Sequence, residues 1–452
     1  YYNKAAMTPK RKRKVHLIGI GGIGISALAR YFLSEGWKVT GSDLSPSDTT
    51  EELRKEGVKV FIGRHSAENL TGLIRANGRI NLVVYNQAIS ENNPELISAK
   101  KLGIPCRSYP GMVGELTKKY KTIAIAGAHG KSTTTALVSL ILIEAGFDPT
   151  VIIGTKLKEF PSAGSGQAGS NFRKGKSEWL ILEADEWKAS FLNYFPTLAV
   201  VTNIDREHLD FYKNFANVKK TFEKFESQCQ KIVEAEKNPK IATEVRKALQ
   251  IPGEHNVQNA LAAFAVAKCL GIPKQTILRA LAKYTGAWRR MEFRGHLKNS
   301  CLPAGRENCK LKIAVYDDYA HHPTEIKATL AGFRQKWPKN ALICVFQAHQ
   351  AERLKLLFND FKTAFKEADK VVMLPTYEVA GREKAQSAKR KAQNDLSEKL
   401  AEAVDAIYVP NPEKDLEKSL KTLIAKPHTP NPIVIMMGAG DIVNLTGKLI
   451  KK

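Results

Sequence analysis

The sequence predicts an α/β protein of three domains. A Rossmann-like N-terminal domain is expected over residues 14–118, a P-loop-type central domain over 119–295 and a Rossmann-like C-terminal domain over 296–452. Three observations carry this prediction. Short aliphatic runs of strand length recur along the chain, each followed by a polar or glycine turn and then by helical periodicity, the pattern of parallel sheets. Two of the turns are glycine-rich loops between a strand and a helix, at Gly19–Gly24 and Gly127–Gly130. A length of 452 residues is that of two to four domains, each able to bury its own core.

Composition narrows the class. Hydrophobic residues at 43% and charged residues at 25% are the balance of a soluble globular protein. No apolar run reaches ~18 residues, so no membrane span is expected. The start of the chain is basic and lacks an apolar segment behind it, so no secretory signal is expected either. Cys106, Cys229, Cys269, Cys301, Cys309 and Cys344 show no Cys-x-x-Cys spacing and read as reduced thiols of a cytoplasmic protein. The formal charge of +25 raises the question of nucleic acid. Yet the lysines are spread over all three domains, no basic stripe is interleaved with aromatics, and the densest cluster (Lys10–Lys14) lies in the polar start. An anionic nucleotide substrate explains the charge more simply, and no nucleic-acid partner is expected.

Taken in order, Val15–Ile18 reads as a strand, Gly19-Ile20-Gly21-Gly22-Ile23-Gly24 as a glycine turn and Ile25–Ala29 as the start of an amphipathic helix. Val39–Asp43 is a second strand ending in an acid about 20 residues on. Alone, this is a dinucleotide fingerprint with Gly19, Gly21 and Gly24 at the phosphates and Asp43 on a ribose. Any nucleotide diphosphate would use the same loop. Strands at 59–62, 82–85 and 104–107 alternate with helices to complete a small parallel sheet.

Ile123–Ala126 ends a buried strand, Gly127-Ala128-His129-Gly130 is a tight turn, and Lys131-Ser132-Thr133 opens a helix with Leu137, Leu140, Ile141 and Ala145 on one face. Backbone N–H groups and the helix dipole favour a phosphate there, Lys131 adds a point charge, and Ser132 or Thr133 can hold Mg²⁺. The position five residues before Gly130 is Ile125, so this is a short Gly-x-x-Gly-Lys-Ser loop and not a full Walker A. Trp179–Leu182 runs into Glu183-Ala184-Asp185-Glu186, and Leu198–Val201 empties into Thr202–Asp210. Ligands of open parallel sheets sit beyond the carboxyl ends of the strands, so Lys131, Glu183 and His208 are expected in one crevice. Ser132, Glu183 and His208 would suit Mg²⁺; for His208 a helix-capping role is the alternative.

Residues 213–250 read as helical and lysine-rich. A helix follows from Pro252, with Asn256 and Asn259 one turn apart on one face. That spacing suits a base edge, or equally an N-cap and a solvated amide. Arg290 closes the domain as a cation for phosphates. In the last domain the strands 312–316, 342–346, 370–374 and 433–437 each end in polar residues, notably Asp317-Asp318-Tyr319-Ala320-His321-His322 and Gln347-Ala348-His349-Gln350-Ala351-Glu352-Arg353.

Together these motifs resemble the Mur ligase family. They are Gly-Ile-Gly-Gly-Ile-Gly, Gly-Ala-His-Gly-Lys-Ser-Thr-Thr-Thr, Glu-Ala-Asp-Glu, Thr-Asn-Ile-x-x-x-His-x-Asp, Gly-x-His-Asn-x-x-Asn-Ala, Asp-Asp-Tyr-Ala-His-His-Pro-Thr-Glu and Met-Gly-Ala-Gly-Asp-Ile, from about Lys14 to the C-terminus. The resemblance implies an N-terminal UDP-sugar domain, a central ATPase domain and a C-terminal domain closing over an amino acid. It moves the first loop from a dinucleotide to a UDP-sugar, held by Gly19, Gly21, Gly22, Gly24 and Asp43. It implies ATP on Gly127, His129, Gly130, Lys131, Ser132, Thr133, Asn256, Asn259, Arg290 and Asp318, with the two asparagines on the adenine side. Mg²⁺ would be held by Ser132, Glu183 and His208, and His322, His349 and Arg353 would lie towards the amino acid and the transferring phosphoryl group. Lys131, His208, His349 and Arg353 would carry catalysis. The implied substrates are UDP-N-acetylmuramate and L-alanine, joined through an acyl phosphate by a monomer or homodimer. A related ligase adding a recycled peptide to the same UDP-sugar, a folate-glutamating ligase, a catalytically silent sugar-nucleotide sensor and a dehydrogenase are the competing readings.

Overall fold

A computed structural model describes residues 13–161, 169–298, 313–377, 396–425 and 431–451. Cys301 and Cys309 therefore lie outside the described residues, as do the first residues of the basic cluster; Cys106, Cys229, Cys269 and Cys344 are free thiols. The chain is α/β throughout and divides into two compact units. The first comprises Tyr1–Ala124, Phe147–Glu183 and Ser190–Thr197; the second comprises Ile125–Gly146, Ala184–Ala189 and Leu198–Lys452.

The first unit holds a five-stranded sheet. Its strands are β1 (Lys14–Ile18), β2 (Lys38–Asp43), β3 (Lys59–Ile62), β4 (Leu82–Tyr85) and β5 (Cys106–Ser108), in the order β3-β2-β1-β4-β5. All pairs are parallel, and Leu17 faces Gly41 on one side and Val84 on the other. Parallel strands need crossovers, which the helices Ile23–Ser34, Asp48–Lys55, Ala67–Asn77 and Pro94–Lys101 supply. The strand expected at 104–107 begins later, at Cys106, because Pro105 cannot donate to the ladder. The buried Glu95 accepts from Ser42 and Asn69 and pairs with His16 and His65, which hold its carboxyl well below the usual range against the opposing effect of burial.

β6 (Lys121–Ala126) crosses from the first unit to the second between Ala124 and Ile125. β7 (Thr150–Leu157) pairs antiparallel with β8 (Ser170–Arg173) and parallel with β9 (Trp179–Ala184). In the second unit β10 (Leu198–Val201) pairs parallel with β11 (Lys231–Ile232). The stretch expected to be helical over 213–250 is thus two helices, Phe215–Ser227 and Pro239–Ala248, with a strand between them. Pairing along the edge of β10 overrides the helical pattern there.

The seven-stranded sheet of the second unit contains β12 (Glu292–Leu297), β13 (Ala314–Asp318), β14 (Leu342–His349), β15 (Lys370–Tyr377), β16 (Ile407–Tyr408), β17 (Ile433–Met437) and β18 (Ile450–Lys451). Their order is β16-β15-β14-β17-β13-β12-β18, antiparallel only at the β12 pairs. Alternation sorts the central side chains between two layers. Leu342, Cys344, Phe346, Ile435 and Met437 join one core, and Ile343, Val345, Val434 and Met436 the other. Burial on both faces explains why the centres of these strands read as aliphatic runs and why Asp317, Asp318, Gln347 and His349 come only at the carboxyl ends of β13 and β14.

Candidate active site

The second glycine loop is built as its residues dictate. Gly127 has φ +131° and Gly130 φ +83°, where a side chain would be strained, and a Cβ on Gly130 would overlap the Asn259 carboxamide. The helix Lys131–Glu144 starts at Gly130 with no side-chain cap. It is buried on more than the expected face, with Ala136, Val138 and Leu142 enclosed as well as Leu137 and Ile141, whereas Leu140 and Ala145 are half-buried. Helices Glu254–Cys269 and Lys274–Lys283 pack on it, which a single-face pattern does not anticipate. The loop is braced from the end of β10. Asn203 accepts from the Ala128 and His129 amides at 3.0 and 2.9 Å, and the Thr202 hydroxyl donates to the His129 carbonyl at 2.6 Å.

Lys131 Nζ donates to the Gly127 carbonyl (2.6 Å) and to Glu186 (2.8 Å). Glu186 is buried; burial pushes its carboxyl up to about 7, Lys131 opposing and Asp185 adding to the rise. His208 lies 3.6 Å from Glu186 with φ +54°. Burial lowers its imidazole to about 4, so it is neutral and able to bind a metal at physiological pH. Asp185, Glu186 and His208 offer ligand atoms within 4.8 Å of one another. Asp185 and Glu186 were not singled out from sequence as partners of His208; the signal for them was their place directly after Glu183 in the acidic run. Ser132 is buried in the first turn of the helix. Glu183 belongs to the first unit, where it accepts from the Gly154 amide at 2.6 Å.

A cavity of about 400 Å³ opens beside the loop, lined by His129, Gly130, Thr133, Asn256, Asn259, Arg290 and Asp318. Seven of the ten residues expected around ATP therefore share one space. Both asparagines are buried. Asn256 donates to the Pro252 carbonyl at 2.6 Å, and the Asn259 carboxamide lies against Gly130 of the loop. Asp318 is equally engaged, taking the Met291 and Ala320 amides at 2.8 and 2.9 Å; burial raises its pKa while Arg290 opposes. The Arg290 guanidinium lies 4.9 Å from the Tyr319 ring.

The next cluster joins the loop after β10 to the strand ends of the seven-stranded sheet. His129 Nε2 is 2.9 Å from Asp205 and its ring 4.8 Å from that of His322. Burial works against the His129 charge, but Asp205 and Glu325 outweigh it and raise the imidazole to about 10. Arg353 Nη2 donates to Glu207 at 2.7 Å, both side chains being buried. Arg353 is therefore half of a buried ion pair. Glu207 carries no sequence signal, because its partner is 146 residues away. His349 stacks on Tyr377 at 5.6 Å and meets His321 edge-on at 5.7 Å.

The first glycine loop lies in the first unit. Gly19 has φ +76°, and its amide and that of Ile20 bond the Ser42 carbonyl at 2.8 and 3.0 Å. A Cβ on Gly22 would come within 2.6 Å of Asn86, and one on Gly24 within 2.7 Å of the Tyr109 ring. Asp43, expected on a ribose, accepts from the Gly21 amide at 2.8 Å and so shapes the loop itself. The helix behind it starts at Gly22 without a side-chain cap, leaving its first turn suited to an anion.

A glycine turn opening a helix beyond a parallel strand, with a lysine, acids and a neutral histidine around it, defines a phosphate-loop nucleotide-binding protein of the α/β class. The chain belongs to the Mur ligase family. The family's catalytic-domain model matches residues 14–121, its middle-domain model 125–248 and its glutamate ligase domain model 305–440. The UDP-N-acetylmuramate–L-alanine ligase of Aquifex aeolicus is 35% identical, with 99% of each chain covered. The enzyme of that name from Sulfurihydrogenibium is 36% identical over 97% of each. Among solved structures, the UDP-N-acetylmuramate-alanine ligase of Thermotoga maritima matches with a TM-score of 0.74 at 25% identity, covering 96% of this chain and 97% of that one. A murein peptide ligase from Psychrobacter arcticus shares the fold with a TM-score of 0.64 at 22% identity.

Proposed function

We propose that this chain is the ATP-dependent ligase that joins L-alanine to the lactyl carboxylate of UDP-N-acetylmuramate, releasing ADP and phosphate. The observation that carries the reading is full-length identity of about 35% to relatives that bear this activity in their names. The domain limits expected above, 14–118, 119–295 and 296–452, are assigned to UDP-sugar, ATP and amino acid respectively.

The chemistry sets the demands. The lactyl carboxylate attacks the γ-phosphorus, the bond to ADP breaks, and an acyl phosphate forms. The alanine amine then attacks the acyl carbon, and the C–O bond to phosphate breaks as the C–N bond is completed. Two anions must first meet, which Lys131 on the β- and γ-phosphates and Arg290 beside them make possible. Support for the Lys131 role is its present partner: a carboxylate of Glu186, the kind of anion that a phosphate would replace. Ser132, Glu183 and His208 are assigned to Mg²⁺; a hydroxyl, a carboxylate and a neutral imidazole fit that ion, which when bound neutralises phosphate charge. Gly19, Gly21, Gly22 and Gly24 are assigned to the UDP diphosphate, with Asp43 holding their loop. His322, His349 and Arg353 are assigned to the amino-acid side of the site.

The reaction consumes ATP and a UDP-sugar, both cytoplasmic nucleotides, and the protein is assigned there; among the described residues no helix is long and apolar enough to cross a membrane. The deciding experiment is phosphate release with ATP and UDP-N-acetylmuramate, screened over amino acids and over the tripeptide that the recycling ligase would take. Alanine alone should support turnover at low concentration. A preference for the peptide would replace this reading with the recycling one.

A further inference from the structure

The helix Ile23–Ser34 opens directly out of the first glycine loop, and no side chain caps it. Three of the four residues Gly21-Gly22-Ile23-Gly24 are glycines, so the chain itself gives this turn little stiffness. The stiffness comes from Asn171 on β8, a fully enclosed side chain of the same compact unit. Its Nδ2 donates to the Ile23 carbonyl at 2.5 Å and to the Ser26 hydroxyl at 2.9 Å. That hydroxyl donates in turn to the Ile23 carbonyl at 2.9 Å. Asn171 Oδ1 accepts from Arg30 Nη1 at 2.5 Å. A guanidinium only donates, so the carboxamide can stand one way alone, with its oxygen on Arg30 and its NH₂ on the turn. Arg30 is held by Glu56 and Glu52, and Glu52 also takes Lys156 of β7 at 2.5 Å. Two cations and two carboxylates balance in this network, and the β7–β8 hairpin reaches the helix through both Asn171 and Lys156.

We propose that Asn171 is a positioning residue for the UDP-sugar, holding the first turn of the helix so that its amides meet the diphosphate already oriented. A trans peptide is planar, with its C=O and N–H opposed, so fixing the Ile23 carbonyl fixes the Gly24 N–H, which points back to the mouth of the loop. An amide aimed before the ligand arrives costs no ordering on binding. Asn171 acts through the turn and does not itself touch the ligand. The inference rests on the assignment of this loop to the UDP-sugar made above.

Three substitutions in the full chain separate positioning from stability. Asn171→Asp keeps the size of the side chain and the bond from Arg30 but has no N–H for the turn. Asn171→Ala loses the same donors without adding a charge. Lys156→Met breaks the network on its far side and leaves Asn171 in place. The measurements are the calorimetric Kd for UDP-N-acetylmuramate, steady-state kcat and KM for each substrate, and a thermal melt. Both Asn171 variants should raise Kd and KM for the UDP-sugar by ~10-fold, with kcat and the KM for ATP unchanged. Lys156→Met should melt earlier yet bind the UDP-sugar as the wild type does. Wild-type affinity in Asn171→Asp would overturn the proposal, and so would a loss confined to that variant, which is charge repulsion alone. A loss in Lys156→Met equal to that in Asn171→Ala would overturn it too, since any damage to the network would then suffice. A wild type that binds no UDP-N-acetylmuramate overturns instead the reading on which the proposal rests.

Discussion

The charges that decide this site are held by single side chains. His129 is raised from 6.5 to about 10 because Asp205 and Glu325 outweigh burial. A raised pKa stabilises the fold fully below 6.5, and the contribution is lost as pH climbs through 10. Melting temperatures measured from pH 6.5 to 10 should therefore fall more steeply for the wild type than for His129→Gln; parallel profiles would remove the charge from His129. The Arg353–Glu207 pair makes a second prediction. Removing one member of a buried ion pair costs ~3–5 kcal/mol because the other charge is stranded, whereas removing both costs far less. Arg353→Ala should be destabilised strongly and Arg353→Ala/Glu207→Ala much less, by denaturant unfolding. Alanine dependence should be lost in both if the guanidinium also serves the substrate. A double variant that regains normal alanine use would confine Arg353 to a structural role.

The elements differ in how far the sequence revealed them, and the reason is distance along the chain. The turn Gly127–Gly130 and its helix are local, so glycines, lysine and hydroxyls in order were enough to read them. Substituting Gly130 tests that reading. At φ +83° and against Asn259, Gly130→Ala must shift either the loop or the carboxamide. It should raise KM for ATP by ~10-fold or more while UDP-N-acetylmuramate binding, by calorimetry, is unchanged. A normal ATP requirement would mean that the loop does not hold phosphate. The strands of the seven-stranded sheet were legible for another reason, since burial on both faces leaves continuous aliphatic runs. What stayed hidden was made by long-range partners. Glu207 looked like one more loop charge until Arg353 met it, and Lys231–Ile232 became a strand only by pairing with β10. The bond from the Gly21 amide to Asp43 was likewise hidden, because it joins residues 22 apart that the sequence shows only as a glycine loop and a strand end.

At the scale of the molecule the two glycine loops fall in different compact units, Gly19–Gly24 in the first and Gly127–Gly130 in the second, together with the cavity beside the latter. A ligand that binds only the folded form of one unit stabilises that unit by RT ln(1 + [L]/Kd), ~2.7 kcal/mol at a hundredfold excess over Kd. Local opening in the other unit is then slowed only through whatever coupling the chain provides. Amide hydrogen exchange resolves the two. UDP-N-acetylmuramate should protect the turn and first helical residues at 19–26, and ATP those at 129–135 and 254–260, each by up to ~10²-fold near saturation. ATP protection confined to 19–26 would reverse the assignment of the two loops. Equal protection of both regions by either ligand alone would mean that the units act as one binding body, and that neither loop can be assigned to its substrate by sequence or fold.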